Sequence, residues 1–151
     1  MKASVVIVAV GVMLASAGVG LAQNKEQVIK DRADLMRHQF HEWLILRNYL
    51  QGKADQAAAL AAAESLAKSV PTVPKYFPPG TEGPGPSGKY APKPEVWTEH
   101  DKFLAADRKV TEQVAALSAA LKTGDKVKAA AAFKDLDTCD SCHKTFQQQV
   151  K

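Results

Sequence analysis

The stretch Cys139-Asp140-Ser141-Cys142-His143 stands close to the C-terminus and contains both cysteines of the 151-residue chain. On a helix, two thiols three residues apart lie on one side, and the histidine that follows is turned about 100° further round. This spacing matches the C-x-x-C-H pattern of covalent haem attachment, in which both thiols bond to one porphyrin edge and the imidazole binds the iron. The motif therefore predicts one haem c bound through Cys139 and Cys142, with His143 as the proximal iron ligand.

The same cysteine pair has other chemical interpretations. It could form a local disulfide, a redox dithiol or half of a zinc site, or it could be a chance pentapeptide without a role. A thioredoxin-like dithiol needs a βαβ context, and no strand pattern is visible in this chain. Structural zinc needs two more Cys or His ligands at close spacing, whereas the other histidines lie far upstream, at His38, His41 and His100. Haem attachment is the interpretation that the spacing favours.

The composition of the chain favours helix, because Ala, Leu, Lys, Gln and Glu are abundant and β-branched runs are few. Apolar residues recur with a period near 3.6 in four segments. Gly52 is a stop signal for the first segment, and Pro94 fits the first turn of the third. Gly124 and Asp125 supply a C-cap followed by an N-cap. The predicted helices cover about 25–51, 54–69, 94–121 and 127–146.

A long connection separates the second and third predicted helices. All eight prolines lie between Pro71 and Pro94, together with four of the nine glycines. Adjacent antiparallel helices need only a short link, so we expect this segment to cross the end of a bundle or to bind something. Two short links and one long one predict an all-α fold, an antiparallel four-helix bundle with one Pro/Gly-rich crossover between helices two and three.

The N-terminus has the features of a secretory signal peptide. Lys2 supplies a positive charge, Val5 to Leu14 is an almost uninterrupted apolar run, and Gly20-Leu21-Ala22 has the small-x-small pattern that signal peptidase accepts. The run is too short to span a bilayer comfortably. Residues 1–22 are therefore predicted to be removed, and residues 23–151 to form one exported, periplasmic domain without a membrane span.

The charge of the chain argues against nucleic acid as a partner. Its 20 basic and 16 acidic side chains give a formal net charge of +4. The basic residues are spread among the acids rather than gathered in a patch with interleaved aromatic residues. The sequence therefore predicts no nucleic-acid binding.

Two residues of the first helix are candidates for contact with a haem. Met36 is the one methionine that follows residue 22. Its thioether could bind iron on the distal side or fill core space, and the residues alone favour packing. Arg32 lies four residues earlier on the same side of the helix. It could pair with a haem propionate or lie on the surface beside Glu26, Asp31 or Glu42, and spacing leaves both open.

These features together resemble the cytochrome c prime family, the class II c-type cytochromes. The resemblance rests on the exported four-helix bundle, the pair Arg32 and Met36, the proline-rich crossover, the segment Pro94-Glu95-Val96-Trp97 that opens helix three, and C-x-x-C-H in the last helix. It covers nearly all of residues 23–151. The family implies a fold of this kind with one covalently attached haem c, and its members often pair through helix one as homodimers.

The resemblance also implies roles for individual residues. In the family, the residue at the position of Met36 lies over the distal face of the haem. A methionine that binds iron there makes it six-coordinate and low-spin, as in members similar to cytochrome c-556. A residue that does not bind leaves the iron five-coordinate, high-spin and able to take up NO or CO. Arg32 matches a residue near a propionate, and Gln147 replaces the basic residue usual four positions after the haem histidine.

The function expected from these features is that of a periplasmic mono-haem cytochrome. It would carry single electrons between redox partner proteins and would not be an enzyme. His143 and Met36 would both bind the iron, which would place the chain closest to the low-spin, cytochrome c-556-like members. The alternative is a five-coordinate, high-spin cytochrome c prime in which Met36 packs without binding and the iron takes up NO or CO.

Overall fold

Six α-helices form the frame of the computed structural model, which describes residues 25–136 and 138–150 except for the side chains of Thr138 and Cys139. The predicted signal peptide, residues 1–22, lies outside the described residues. The helices are α1 (Lys25–Leu50), α2 (Gln56–Ser69), α3 (Glu95–Thr98), α4 (His100–Lys122), α5 (Lys126–Asp135) and α6 (Thr138–Phe146). Within the described ranges, no helix is both long and apolar enough to cross a bilayer.

The helix ends follow the capping residues of the sequence. Gly52 has a left-handed φ of 75° just after α1, a conformation that glycine adopts without steric cost. Asp55 caps α2 by accepting a hydrogen bond of 2.7 Å from the N–H of Ala58. Gly124, with φ 72°, and Asp125 repeat this arrangement between α4 and α5, where the Asp125 carboxylate accepts from two N–H groups at the start of α5. The predicted C-cap and N-cap are confirmed.

The long helices pack side by side around one main core. α1 packs against α2, α2 against α4, and α4 against α5. The alanine-rich face of α2 allows close packing of its neighbours, because small side chains keep the helix axes near each other. This arrangement confirms the predicted all-α, antiparallel four-helix bundle. The buried residues of the core are Leu46, Tyr49, Ala59, Ala62, Ala63, Leu66, Val70, Val110, Val114, Leu117, Leu121, Ala129 and Leu136.

Helices three and four of the bundle are each divided. Glu99 has non-helical backbone angles, φ −119° and ψ 43°, between α3 and α4, and α5 ends at Asp135 before α6 begins. On α3, Val96 is fully buried, and Trp97 donates from Nε1 to the carbonyl oxygen of Phe77 at 2.9 Å. The short helix is thereby fixed to the crossover. Apolar periodicity did not predict these breaks, because the apolar positions continue through both.

The crossover has regular structure of its own. It begins with a 3-10 helix, Val70–Tyr76, and ends with a strand, β1 (Tyr90–Pro92), which pairs antiparallel with β2 (Gln147–Gln149). The N–H of Lys93 also donates to the carbonyl oxygen of Phe146 at 2.9 Å. The expectation of a chain without strands is wrong, because two three-residue strands from distant segments leave no alternating pattern to recognise. Their pairing ties the end of α6 to the crossover.

Candidate haem site

One end of the bundle contains a cavity with two adjoining lobes, of about 350 and about 250 Å³. The larger lobe lies between α1, the crossover and α6, and the smaller lobe lies between α1, α2, α4 and α6. Residues that are far apart in the chain meet here. The side chains that line both lobes are Met36, Val73, Phe103, Cys142 and His143.

Helix α6 carries the attachment motif to the wall of this cavity. Cys142 and His143 border both lobes. The backbone of Cys139 lies one turn earlier in the same helix, and its side chain lies outside the described residues. Phe146 is 7% exposed and packs edge-on against Phe103 of α4, with 5.4 Å between ring centroids. The motif therefore lies on a helix that α4 holds on one side and the β1–β2 pair holds at its end.

His143 is exposed at the edge of the cavity, and its imidazole is in a state suited to binding a metal. Burial lowers its pKa below the ordinary value, and the negative charge of Asp140 acts in the opposite direction. Asp140 itself forms an ion pair with Lys144 at 2.5 Å. A lowered pKa favours the neutral imidazole at neutral pH, and that is the form that binds a metal.

Met36 lies near the middle of α1, with its side chain on both lobes. Ile29, Arg32 and Ala33 precede it by one or two turns and line the larger lobe, as helical spacing predicts. The prediction that Met36 and Arg32 share one face of α1 is therefore confirmed. That face borders the same space as the haem motif.

Arg32 is buried, at 6% exposure, and holds the crossover against α1. Its Nη1 donates to the carbonyl oxygens of Thr81 at 3.0 Å and Tyr76 at 3.3 Å, and its Nη2 donates to that of Gly83 at 3.2 Å. The guanidinium carbon lies 4.7 Å from the centre of the Phe77 ring. Burial lowers the pKa of Arg32, and the charge of Glu82 opposes this. The interpretation of Arg32 as a surface residue paired with acids of its own helix is wrong, because its donors face the crossover.

The crossover contributes cavity residues that no sequence pattern identified. The segment crosses the end of the bundle and also forms a wall of the larger lobe, where Gln147 of β2 joins it. In the sequence, only the length of the connection indicated that this segment could bind something. Length does not show which side chains face the cavity. The lining residues of the crossover are Val73, Phe77, Gly85, Pro86, Ser87, Tyr90, Ala91 and Pro92.

Asp107 is a further residue that the sequence analysis missed. It stands on α4 in the apolar series Phe103, Val110 and Val114, at a spacing that places it on the buried face, and it lines the smaller lobe. Burial raises the pKa of its carboxyl group to about 6, although the positive charge of Arg108 acts in the opposite direction. An acidic residue within an apolar helical stripe is the pattern that would have found it.

The side chains of the cavity fit a haem c. A haem needs apolar walls for its two faces, cationic groups near its propionates, a thiol for a vinyl group and an imidazole for the iron. The cavity has apolar side chains from the helices and the crossover around the Cys142 thiol and the His143 imidazole. Arg32 and Arg37 also line the larger lobe. The described residues thus supply apolar walls, one thiol, an imidazole and cationic residues that suit a haem c.

Comparisons of the sequence point to one family. The family profile described as "Cytochrome C'" matches residues 27–147. The cytochrome c' of Rhodospirillum rubrum is 34% identical over 86 residues, which is 56% of this chain and 56% of that protein. The cytochrome c' of Cereibacter sphaeroides is 36% identical over 99 residues, 63% of this chain and 66% of that protein. The matches therefore span only part of each relative.

Solved structures of cytochromes c prime share the fold. Cytochrome c' from Rubrivivax gelatinosus superposes with a TM-score of 0.73 at 27% identity, covering 83% of this chain and 98% of that chain. A nitric oxide complex of a mutant cytochrome c prime from Alcaligenes xylosoxidans superposes with a TM-score of 0.72 at 28% identity, covering 82% of this chain and 96% of that chain. Together with the profile match, these structures place nearly all of the described helices in one known fold.

The prediction that Met36 is the distal iron ligand of a low-spin electron carrier is wrong. The relatives are cytochromes c prime, and one solved relative is a nitric oxide complex. A protein sulfur bound at the sixth position would occupy the place that a diatomic ligand needs. These relatives do not support the cytochrome c-556-like assignment and agree better with the alternative expectation. Met36 is a residue of the cavity wall.

The family assignment follows from sequence and fold together. The profile covers most of the chain, and solved members superpose over more than four fifths of it. This chain belongs to the cytochrome c prime family, whose members bind one covalently attached haem c.

Proposed function

We propose that this chain is a high-spin cytochrome c prime whose iron, held by His143 on one side, is five-coordinate and takes up NO or CO on the other. The nitric oxide complex of a relative with the same fold carries this proposal. The haem supplies the iron to which a diatomic molecule binds. The residues of the chain bind and orient the haem, exclude water and restrict access, and no substrate is turned over.

The covalent attachment of the haem is proposed to involve three residues of α6. Cys139 and Cys142 form the two thioether bonds, and His143, the next residue, holds the iron from the proximal side. The neutral imidazole that burial favours supports this role. The β1–β2 pair and the contact between Phe146 and Phe103 keep α6 against the cavity.

Met36 has a steric role in this proposal. A thioether side chain is apolar and flexible, so it fills irregular space beside a flat group. The residues that share its position between the lobes, Val73 and Phe103, are apolar as well. Side chains of this kind offer no hydrogen bonds to a water molecule or an anion. Both would lose their hydration on entering the cavity without compensation. Small, weakly polar molecules such as NO and CO lose little, so these walls favour them.

Arg32 is proposed to contact a haem propionate in addition to the crossover. A guanidinium group has five N–H donors, and among the described residues three backbone carbonyl oxygens and the Thr81 hydroxyl accept from Nη1 and Nη2 of Arg32. The Nε–H and one N–H of Nη2 can serve a carboxylate. Because Arg32 lines the larger lobe, we place a propionate at that lobe.

The cellular setting is part of the same proposal. Residues 1–22 direct export, so the protein acts in the periplasm, where haem c is attached to exported chains. Redox partner proteins keep the iron in the ferrous state that CO needs, and α1 is the surface through which two copies would pair. The size of the purified protein in solution tests the second point, since a monomer contradicts it.

The optical spectrum of the haem-loaded protein tests the proposed coordination. Broad high-spin bands in the ferric and ferrous forms, with rapid CO binding to the ferrous form, are expected. Sharp low-spin bands with a far-red charge-transfer band from methionine to iron would contradict the proposal. Haem that is extracted by acid-acetone would contradict covalent attachment at Cys139 and Cys142.

A matched pair of variants tests the role of Met36. Met36→Leu keeps the volume and removes the sulfur, whereas Met36→Ala opens space beside the haem. We expect Met36→Leu to leave the spin state unchanged, and Met36→Ala to bind CO several-fold faster because a wall residue is shortened. A change from low spin to high spin in Met36→Leu would show that the sulfur is a ligand.

A further inference from the structure

Asp107 places a carboxyl group in the apolar wall of the haem cavity. On α4 it follows Phe103 by one turn and precedes Val110 and Val114, all three of which are buried. The spacing of four and three residues is that of the buried stripe of a helix. A carboxylate at such a position is costly unless it is paired. The residue is therefore unexpected on packing grounds alone.

The charge of Asp107 is poorly compensated. Among the described residues, its carboxylate forms no ion pair. Arg108, the next residue, lowers the pKa of the carboxyl group less than burial raises it, and the result is a pKa of about 6. An ordinary aspartate is fully ionised at that pH. Asp107 thus changes its charge close to neutrality.

The elements packed around Asp107 bring few other charges to the smaller lobe. Among the described lining residues, those of α1, α2, the 3-10 helix and the end of α5 are uncharged. The titratable groups that share the lobe with Asp107 are Asp140 and His143, both on α6. The side chain of Asp140 is 58% exposed and paired with Lys144, so its charge is compensated. His143 forms no ion pair with Asp107 in the described part of the chain.

We propose that Asp107 is an electrostatic regulator of the haem site: its carboxylate stabilises the ferric iron, and its neutral acid form favours reduction. This inference rests on the proposed function, since it requires the haem to occupy the cavity. Asp107 is half-buried, so a negative charge there acts on the iron with less screening from water than a fully exposed charge would. When a one-electron donor protein reduces ferric iron to ferrous, Asp107 takes up as much as one proton from solvent. Acidification therefore increases the fraction of ferrous protein, the form that binds CO.

The reduction potential of the haem-loaded protein, followed optically with mediator dyes between about pH 4.5 and about pH 8, tests this regulation. The native potential is expected to fall as the pH rises, with an inflection near the carboxyl pKa of about 6. Asp107→Asn should lose this inflection and match the native potential at the acid end. Asp107→Glu should keep an inflection. Asp101→Asn, an exposed site on the same helix, should follow the native profile.

Comparison between variants isolates Asp107 from other titrating groups. The haem propionates and the axial histidine titrate in all four proteins, so their contributions cancel in the differences. A native profile in Asp107→Asn would overturn the inference. The potential measurement does not depend on the proposed gas binding. A low-spin spectrum without CO binding would overturn the proposed function. The difference in reduction potential between Asp107→Asn and the native protein could still be measured in that case.

A direct titration covers the case in which Asp107→Asn fails to fold. In the diamagnetic, CO-bound ferrous protein, the ¹³C shift of the Asp107 carboxyl carbon can be followed against pH. The Asp107→Glu spectrum assigns the signal, because the aspartate resonance then disappears. A midpoint near 6 supports the inference, whereas a midpoint near the ordinary value of about 4 overturns it.

Discussion

The guanidinium group of Arg32 on α1 donates a hydrogen bond of 3.0 Å to the carbonyl oxygen of Thr81 in the crossover, and both residues are buried, at 6% and 1% exposure. The same group donates to the carbonyl oxygens of Tyr76 and Gly83 and lies over the Phe77 ring. Each proline in the crossover lacks an N–H group, so the segment has fewer backbone donors with which to fix itself. A buried arginine supplies several donors at one point and so orders the crossover beside the haem cavity.

Arg32→Ala is expected to lower the free energy of unfolding by about 3 kcal/mol, because hydrogen bonds from a charged donor contribute about 1.5–3 kcal/mol and the carbonyl oxygens lose their partner. Urea unfolding of the haem-loaded protein measures this. Lys30→Ala is the matched control on the same helix, since Lys30 is exposed and paired with Asp34, and its loss should cost at most about 0.5 kcal/mol. Equal stability of the two variants would show that other contacts hold the crossover.

Phe146→Ala is expected to destabilise the protein by about 3 kcal/mol, since truncation of a buried phenylalanine leaves a cavity. Phe146 is 7% exposed and contacts Phe103, so the attachment helix loses its contact with α4. Thermal and urea unfolding measure the loss. Val127→Ala removes an apolar side chain that is 80% exposed and should change stability by less than about 0.5 kcal/mol. A small effect of Phe146→Ala would mean that β2 alone anchors α6.

Gln147→Arg is expected to raise the reduction potential by roughly tens of millivolts, because a cation at the cavity disfavours ferric iron more than ferrous iron. Gln147 lines the larger lobe from β2. Gln149→Arg introduces the same charge at an exposed position of the same strand, where solvent screens it, and should have a smaller effect. Optical redox titration measures both. Identical reduction potentials in the two variants would mean that a charge at position 147 is too far from the iron to affect it.

The stability of the protein is expected to depend on pH through Asp107 with a definite sign. Its pKa is raised from 3.8 to about 6 in the folded protein, so the folded state binds the proton more tightly than the unfolded state. The contribution of the protonated Asp107 carboxyl group to the free energy of unfolding is full below about pH 4 and is lost as the pH rises through about 6. At pH 7, Asp107→Asn should therefore be more stable than the native protein by about 1 kcal/mol, after allowance for solvent screening.

Urea titrations of native protein, Asp107→Asn and Asp101→Asn at about pH 4 and about pH 7 check this sign. The gain from Asp107→Asn should vanish at the acid pH, where the native carboxyl group is already neutral. Asp101→Asn should show no comparable dependence. A loss of stability at pH 7 in Asp107→Asn would mean that the carboxylate has a favourable partner in the folded protein.

Much of the helical frame could be predicted because its signals are local. Gly52 and Asp55 end one helix and begin the next, and Gly124 and Asp125 do the same later in the chain. The break at Glu99 and the pairing of β1 with β2 could not be predicted in this way. Both depend on contacts between segments that are distant in sequence, and neither interrupts the apolar period from which the helices were recognised.

The sequence by itself predicted the attachment chemistry of this protein, because Cys139, Cys142 and His143 are close in the chain and helical geometry relates them without any other element. Tertiary structure decided what surrounds that chemistry. The donors of Arg32 could have faced solvent, a propionate or the crossover, and only packing of the crossover on α1 brought the carbonyl oxygen of Thr81 within 3.0 Å. Asp107 became a cavity residue for the same reason: its position on α4 set its face, but the neighbours that partly shield it from water come from other parts of the fold.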